Sequence, residues 1–513
     1  MGAKQLHFVV VGGGTAGWLT AMILQDSAKR GGLPIKITVI ESSKIPVIGV
    51  GEGTTAAFRI MLKHLGIDEF EFMRETGATI KFGIRHKDWR RVGYTYDGPI
   101  DDPASVIPRP DGASSSFLDI YSVAAGRSVT EPHLFAYLLD GHKSPYARRA
   151  DGSLVAAGPF HYAYHFDQSL VGKYLCKKSE GISIVDAQVS GVRKNAETGD
   201  LTALVLDDGS ELQGDFFFDC TGFRKRLLVQ EMGAKWVSYA KELPVNRALP
   251  FWLDLKEGEE VAPYTLAWAQ RAGWMWSIPT QGRYGCGYVY SDNFLTPEEA
   301  QREIEAALGH SIEPRGDIKF QIGRMEANWI NNCLAVGLAS CFLEPLEATS
   351  IHGTVVQMMM FTQFHLRNLV EGRDAGRSAY TSVAARQLDD FRRFVNLHYV
   401  TERRDTPFWQ HVASDCILPE TRARLEQWSR KMPRSDDFDP MPGKFAHVEE
   451  QLHYPVLDGL GLLKRDVARA EMDTMPAVRK VAREAVDSLK SEYQAVARKT
   501  LGHREFFTSL HNL

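Results

Sequence analysis

Three glycines near the start of the chain have the spacing of a dinucleotide-binding turn. Gly12-x-Gly14-x-x-Gly17 stands directly between an apolar strand and a helix. The first glycine permits a tight turn, the second lets a pyrophosphate approach the backbone, and the third lets helix and strand pack closely. Glu41 ends the next strand, where an acid can accept hydrogen bonds from a ribose. The arrangement predicts a dinucleotide site.

Two later segments favour FAD over NAD. A strand that ends at Asp219 leads into a Cys-Thr-Gly turn, and residues 332–353 supply a strand, a glycine turn and a helix start. Both patterns are typical of flavoproteins with two dinucleotide folds. The sequence has no second G-x-G-x-x-G for NAD(P)H, so we expect reduced flavin made by another protein. The predicted FAD-binding residues are Gly12, Gly14, Thr15, Ala16, Gly17, Glu41, Ile48, Val50, Gly53, Val189, Leu338 and Ile351.

The segment "AGWMWSIPT" at 272–280 places two tryptophans one residue apart. In an extended strand Trp274 and Trp276 share a face, because side chains alternate with period two. Ile278 and Pro279 close the run, and the proline ends ladder pairing. Two adjacent indoles make a rigid wall. The pattern fits either ordinary core packing or a partition between two chambers.

The composition is that of a large globular protein with a weak net charge. The 513 residues are 44% hydrophobic and 24% charged, and the net charge is −4. This balance argues against binding to nucleic acid or to an anionic membrane. Six scattered cysteines indicate free thiols in a reducing compartment and no zinc site. No stretch has the roughly 20 apolar residues of a membrane-spanning helix, so we expect a cytoplasmic protein. We also expect no bound metal.

The opening of the chain alternates between strand and helix. We expect strands at 6–12 and 35–41 around a helix at 16–29, and another helix near 55–65. With the later strands, this predicts an α/β fold. Its body is a FAD-binding, two-dinucleotide-fold (Rossmann-like), flavoprotein monooxygenase-type structure, with a β-sheet substrate region and a mainly helical C-terminal part.

Three other segments complete the predicted organisation. Residues 91–116 are rich in Pro, Gly, Asp and Ser, which predicts a long loop excursion or lid. Residues 346–370 predict one long buried helix, and 476–499 an amphipathic helix. We expect a FAD-binding body at 1–375 and a helical region that covers the substrate at 376–513.

Seven segments occur in a characteristic order. They are "GGGTAGW" (12–18), "IGVGEGT" (48–54), "GATIK" (77–81), "YHFD" (164–167), "GWMWSIP" (273–279), "CFLEPLEATSI" (341–351) and "RRDTPFW" (403–409). In these segments the chain resembles the flavin-dependent tryptophan halogenase family. The match runs from about residue 5 to 410, and W-x-W-x-I-P beside an amino-terminal G-x-G-x-x-G is a specific signature.

The resemblance implies a two-component halogenase. In this family reduced FAD takes up O2 to form a flavin hydroperoxide, and chloride or bromide attacks it to give hypohalous acid. The oxidant passes through a tunnel to a separate pocket, where an electron-rich aromatic carbon of the indole type is halogenated. By implication Trp274 and Trp276, with Ile278 and Pro279, separate flavin from substrate. The implied partners are a flavin reductase, acting through diffusible FADH2, and a small aromatic substrate; a homodimer is left open.

The same resemblance assigns catalytic and halide-binding roles. Lys81 matches the catalytic lysine, which either hydrogen-bonds hypohalous acid or forms a haloamine; the second route needs a neutral amine. Glu347 matches the catalytic glutamate, a general base for the proton lost from the arenium ion, and Glu344 is its structural competitor. Thr349 and Ser350 match the halide site, where N–H groups at a helix start hold an anion.

The sequence departs from the family pattern where halide and substrate bind. It has "LEATSI" where members that act on free tryptophan commonly have "LESTGI", so Ala348 and Ser350 replace a serine and a glycine. Residues 91–116 and 444–461 lack the aromatic and Tyr-Tyr elements that grip the amino acid. We therefore expect a free indole, another electron-rich arene or a larger carrier-independent substrate. A hydroxylating flavin monooxygenase and a non-catalytic flavin-binding protein are the alternatives.

Overall fold

The structure, a computed structural model, describes residues 5–45, 51–100, 116–158, 161–438, 441–442, 445, 447–448 and 450–512. Two of the predicted FAD-binding residues, Ile48 and Val50, lie outside the described residues, and so do residues 101–115 of the predicted excursion.

The strands and helices are numbered in chain order. The strands are β1 Leu6–Val11, β2 Ile35–Glu41, β3 Gly51–Gly53, β4 Thr79–Lys81, β5 Gly83–Lys87, β6 Thr95–Pro99, β7 Tyr146–Arg148, β8 Leu154–Ala156, β9 Ala163–Asp167, β10 Ser183–Asp186, β11 Val189–Lys194, β12 Leu201–Leu206, β13 Glu211–Gln213, β14 Phe216–Asp219, β15 Trp236–Ser238, β16 Arg247–Asp254, β17 Tyr264–Ala269, β18 Gly273–Pro279, β19 Arg283–Tyr290, β20 Ile318–Lys319, β21 Gly323–Met325, β22 Trp329–Ile330, β23 Cys333–Ala335 and β24 Cys341–Phe342. The helices are α1 Thr15–Gly31, α2 Ala56–His64, α3 Glu69–Thr76, α4 Ser116–Ala125, α5 Leu134–Asp140, α6 Gln168–Lys178, α7 Pro297–Leu308, α8 Thr349–Met360, α9 Leu366–Val370, α10 Arg377–His398, α11 Pro407–His411, α12 Pro419–Trp428, α13 Glu450–Gly459, α14 Arg465–Thr474, α15 Pro476–Lys499 and α16 His503–His511.

A six-stranded sheet carries the predicted dinucleotide turn. Its order is β10-β2-β1-β14-β23-β22, and the strands pair in parallel except for β22 with β23. Phe8, Val9 and Val10 on β1 are fully buried, because a parallel sheet is covered on both faces and its strands are apolar throughout. Helix α1 connects β1 to β2, as the glycine motif predicts. The predicted α/β fold is confirmed.

A seven-stranded sheet carries the tryptophan segment. Its order is β20-β16-β19-β18-β17-β5-β6, and β18 pairs antiparallel with β17 and β19. The edge strand β6 pairs with β5 and falls within the segment predicted as a loop excursion. That part of the prediction is wrong. Gly98 and Pro99 are typical of loops, but an edge strand tolerates both, because one side of its backbone makes no ladder.

A three-stranded sheet, β3-β9-β4, packs on the tryptophan strand through a contact between glycines. A Cβ added to Gly285 on β19 would lie 2.4 Å from the Cα of Gly51 on β3, so neither residue can carry a side chain without separating the strands. The contact brings β3 and β9 against β18. Strand β9 in turn pairs with β4, which ends at Lys81.

The segment predicted as one long helix, 346–370, is helical from Thr349 to Val370 with a π-helical turn inside it, but its first three residues lie outside the helix. Residues Pro345–Glu347 form a 3-10 turn, and Ala348 then adopts the left-handed conformation with φ 53° and ψ 36°. Helix α8 starts only after this residue, and a π-helical turn at Phe361–His365 separates it from α9. A left-handed alanine interrupts the helical hydrogen bonds, and it leaves Glu347 outside the helix.

The last part of the chain is helical and returns to the body. Helix α15 occupies the range predicted for an amphipathic helix, and in α16 the His503 Nε2 accepts a hydrogen bond of 3.2 Å from the Ile80 N–H on β4. Within the described residues, no helix combines the length and the apolar character needed to cross a membrane. The proposed domain boundary near residue 375 stays a prediction.

Three glycines shape the turn between β1 and α1. Gly12 has φ +121°, and a Cβ there would lie 2.2 Å from the Cys220 carbonyl oxygen. A Cβ on Gly17 would lie 1.8 Å from the Gly12 oxygen, whereas a Cβ on Gly14 would have no protein atom within 4 Å. The first and third glycines are therefore required by packing, and the second leaves open space.

We expect Gly17→Ala to destabilise the protein strongly and Gly14→Ala to leave its stability nearly unchanged. The methyl group at residue 17 would push α1 away from β1, and overpacking of this kind costs about 1–3 kcal/mol or more. Thermal unfolding of the flavin-free variants measures the difference. Equal melting temperatures for the two variants would contradict the close packing at Gly17.

Candidate functional site

The start of α1 fits a pyrophosphate. Gly14 is the N-cap of this helix and provides no side-chain hydrogen bond to the first turn, so the first N–H groups and the positive end of the helix dipole are available to an anion. The space beside Gly14 lets the anion reach the backbone. Thr15 and Ala16, the first residues of the helix, lie at this point.

Glu41 ends β2, as predicted, and its side chain lies over the glycine turn. A Cβ added to Gly13 would lie 2.0 Å from the Glu41 Oε2, so the carboxyl group is held against the loop. Burial raises the pKa of Glu41, and a hydrogen bond from the Trp18 indole partly offsets this effect. Asp219 differs: its carboxylate accepts hydrogen bonds from the Thr221 hydroxyl and from the Leu227 N–H, so it stabilises its own turn.

The other predicted FAD-binding residues lie in different surroundings. The turn at Gly337 meets α1, because a Cβ on Gly337 would lie 2.8 Å from the Ala16 Cβ, and Leu338 beside it is half-buried. Ile351 is buried in the core next to the sheet, and Val189 packs as a half-buried residue against a separate apolar cluster.

The two tryptophans are buried neighbours on β18, and their role as a partition stays a prediction. Trp274 and Trp276 are 1% and 5% exposed, and their ring centroids are 6.5 Å apart in an edge-to-face arrangement. Trp276 covers Gly287, where a Cβ would lie 2.1 Å from the indole. Ile278 contacts Gly51 on β3, and the Pro279 carbonyl accepts a 2.7 Å hydrogen bond from the Thr79 hydroxyl.

Glu344 holds Trp274 in place. Its Oε1 accepts a 3.0 Å hydrogen bond from the Trp274 indole N–H, and its carboxyl group bonds the Tyr399 hydroxyl at 2.8 Å. Burial raises the pKa of Glu344 to about 8, against the opposing effect of these two donors. The carboxyl group is therefore mostly protonated at neutral pH and completely engaged inside the protein, which fits the structural role expected for it.

Lys81 is buried and points towards Gly53. It is 1% exposed, and its Nζ donates a 3.2 Å hydrogen bond to the Thr54 carbonyl oxygen. A Cβ added to Gly53 would lie 3.1 Å from the Nζ. Burial lowers the pKa of Lys81 to about 8, and the negative charge of Glu347 opposes this shift. Near pH 8 the amine and the ammonium are both populated.

Glu347 faces a cavity and two histidines. Its side chain is 12% exposed, and its Oε1 lies 2.9 Å from the His398 Nε2 and 4.0 Å from the His86 Nε2. The rings of His86 and His398 stack with centroids 4.9 Å apart. Burial lowers the pKa of His86 well below its usual value, so this ring is neutral. Neither histidine was predicted from the sequence, since no local motif marks them.

The same three residues have a geometry that suits a metal. Their ligand atoms lie within 4.8 Å of one another, and two histidines with one carboxylate form a common set for divalent transition metals. No metal was predicted from the sequence, because the three residues lie far apart along the chain. A cation bound there would be coordinated by the carboxylate of Glu347.

The start of α8 is open to an anion. Ala348 is its N-cap and provides no side-chain hydrogen bond, so Thr349 and Ser350 stand in a first turn with available N–H groups. Thr349 is buried, whereas Ser350 is half-buried.

A partly open cavity lies between Glu347 and the C-terminal helices. Most of its wall is apolar or aromatic. Its lining residues are Thr55, Ile100, Glu347, Thr349, His352, Phe391, Phe394, His447, Val448 and Leu452. The cavity thus joins the predicted glutamate, the predicted halide site and part of the segment 444–461.

Comparisons with known proteins agree on one family. A family model described as "Tryptophan halogenase" matches residues 7–467. Tryptophan 6-halogenase SttH from Streptomyces toxytricini is 33% identical and aligns over 95% of this chain and 97% of its own. Tryptophan 7-halogenase RebH from Lentzea aerocolonigenes is 30% identical, over 100% of this chain and 98% of its own. The solved structure of BrvH, a flavin-dependent halogenase from Brevundimonas sp. BAL3, has a TM-score of 0.82 at 29% identity and covers 99% of both chains.

The fold and the site define a flavin-dependent halogenase, an enzyme that uses FADH2, O2 and a halide and works with a separate flavin reductase. The chain belongs to the tryptophan halogenase family. The resemblance inferred from its motifs is confirmed.

We expect Lys81→Met to raise stability at pH 7, because the protein no longer buries an ammonium group. The pKa of Lys81 falls from 10.5 to about 8 on folding, so the unfolded wild-type chain binds more protons than the native one between these values. The free energy of unfolding of the wild type therefore rises between pH 8 and pH 10.5. The variant is more stable by about 1–3 kcal/mol at pH 7, and this advantage disappears over that range.

Denaturant unfolding at pH 7 and pH 10 measures this effect, with Lys63→Met on the exposed face of α2 as the control. A difference between wild type and Lys81→Met that does not change with pH would contradict the buried position of the amine.

Proposed function

We propose that this halogenase transfers an oxidised halogen from the flavin site, past Lys81, to a neutral indole held beside Glu347. The observation that carries the proposal is the position of Lys81. Its buried Nζ lies next to Gly53 on the predicted flavin side and interacts electrostatically with Glu347 on the cavity side. When bound, FADH2 would supply two of the four electrons that reduce O2, and the halide would supply the other two, so that hypohalous acid and water are formed.

The residues proposed to hold the cofactor are those of the glycine turn, Glu41 and the turn at 337–338. The N–H groups at the start of α1 bind the pyrophosphate, and Glu41 accepts hydrogen bonds from the ribose. Thr349 and Ser350 hold chloride or bromide at the start of α8, where the helix dipole favours an anion. The space beside Gly14 and the uncapped first turns of the two helices support these assignments.

Lys81 controls the oxidant in one of two ways. As an ammonium it donates a hydrogen bond to hypohalous acid and makes the halogen more electrophilic. As a neutral amine its nitrogen attacks the halogen, so that an N–X bond forms, the O–X bond breaks, and hydroxide leaves and takes the released proton to become water. A pKa of about 8 permits both routes near neutral pH.

Glu347 accepts the proton that the ring loses. The aromatic carbon forms a bond to halogen, the bond from halogen to oxygen or nitrogen breaks, and the arenium ion then gives its ring proton to the carboxylate. The His398 Nε2 lies beside this carboxylate, 2.9 Å from Oε1. Trp274 and Trp276 keep the flavin side apart from this chemistry.

The cavity favours a neutral substrate over an amino acid. Among the described lining residues Glu347 is the single carboxylate, and no lysine or arginine is present to bind a substrate carboxylate. Burying a zwitterion without such partners is unfavourable. Free indole is therefore the proposed substrate class, and tryptophan is the second candidate because of the family. A homodimer, a cytoplasmic location and the division into domains at residue 375 stay predictions.

The test is a reaction with purified enzyme, a generic flavin reductase, NADH, FAD and either indole or tryptophan, with and without bromide. We expect bromoindole only when bromide is present, and slower product formation from tryptophan. Mass spectrometry distinguishes the outcomes. A product that gains only oxygen would indicate a monooxygenase, and flavin binding without any product would indicate a non-catalytic protein.

We expect Lys81→Ala and Glu347→Gln each to lower halogenation by at least 100-fold, because each removes a group that acts on the reacting atoms. Glu344→Gln is the matched control, since the amide keeps an acceptor for Trp274, and its loss should stay below tenfold. A diffusible chromogenic trap should still detect hypohalous acid from Lys81→Ala. Retained halogenation by either catalytic variant would remove that residue from the mechanism.

A further inference from the structure

We propose that His447 recognises the ring N–H of the substrate and so determines the preference for an unsubstituted indole. The inference rests on the proposed function and specifies how the cavity selects its ligand. It identifies His447 as a specificity-determining residue, separate from the groups that handle the halogen.

His447, whose side chain is buried, lines the same cavity as Glu347. Its side chain is 1% exposed, and its Nε2 lies 2.8 Å from the Asp390 Oδ2 on α10. Asp390 also pairs with Arg393 on the same helix. The ring packs at 5.7 Å, centroid to centroid, against Phe391. Its position is therefore fixed by a hydrogen bond on one side and by an aromatic contact on the other.

The contact with Asp390 determines which ring nitrogen can accept a hydrogen bond. A carboxylate is an acceptor, so His447 donates its Nε2–H to Asp390. In the tautomer that carries its hydrogen on Nε2, the lone pair lies on Nδ1. This Nδ1 is buried and has no hydrogen-bond partner among the described residues. A buried acceptor without a donor is unfavourable, which a ligand N–H in the cavity would correct.

The second histidine of the lining does not offer the same group. The Nδ1 of His352 lies 2.8 Å from the Thr55 hydroxyl, so it already has a partner within the protein. Glu347 accepts hydrogen bonds too, but its Oε1 is held close to His398. In His447, by contrast, Asp390 sets the tautomer from outside the cavity. The lone pair on Nδ1 then remains available to a ligand.

The remaining walls suit a flat, neutral ring. Phe391 and Phe394 provide aromatic surfaces, and Ile100, Val448 and Leu452 provide aliphatic ones. Such walls stabilise an indole through burial of its apolar surface and through aromatic contacts, but they cannot orient it. A single directional hydrogen bond to the ring nitrogen supplies the orientation.

The experiment compares indole with 1-methylindole in the wild-type enzyme and in two variants. Methylation removes the donor but leaves the ring at least as electron-rich, so a slower reaction reports a lost contact. For wild type we expect kcat/KM for indole to exceed that for 1-methylindole by at least tenfold, mainly through KM. His447→Phe should reduce this ratio to about one by losing activity on indole.

His447→Asn is the conservative variant, because its amide oxygen can replace Nδ1 as an acceptor, and it should keep a preference for indole. Melting temperatures establish that both variants fold. A wild-type ratio near one would overturn the inference, and so would a ratio that persists in His447→Phe, since it would then come from steric exclusion of the methyl group. If wild type halogenates neither compound, the proposed function itself fails.

Discussion

The contact between Gly51 and Gly285 holds together the two parts of the site. Because neither residue has a side chain, the small sheet with Lys81 comes directly against the sheet with the tryptophan wall. Any Cβ at this contact would separate the strands and open a gap beside Ile278. Lys81 is buried on the small sheet, and burial lowers its pKa to about 8.

A second constraint is the left-handed backbone at Ala348. It ends the turn that carries Glu347 and begins helix α8, so one residue separates the carboxylate from the uncapped N–H groups. The two glutamates of this segment consequently differ in role. Glu344 is locked between Trp274 and Tyr399, whereas Glu347 faces the cavity and His398. The support for Trp274 and the carboxylate at the cavity therefore come from one short stretch of chain.

Much of the fold and part of the site followed from local patterns. The glycine motif predicted the β1–α1 turn, and the W-x-W spacing predicted a shared face on β18. Lys81 and Glu347 came from the resemblance to the family, and their roles stay proposals. The edge strand at Thr95–Pro99 was missed because its glycine and proline are typical of loops. The helix break at Ala348 was missed because alanine normally favours a helix.

The sequence by itself determined many of the elements, the parallel sheet and the residue types available for chemistry, since periodicity and turn residues act over a few positions. Only the tertiary structure decided which of those residues meet. His86 on β5, Glu347 and His398 come together from three distant segments. Asp390 and His447 likewise meet from two separate segments. Such meetings depend on the packing of whole elements, which no local pattern encodes. The depth of burial that shifts the pKa of Lys81 arises in the same way.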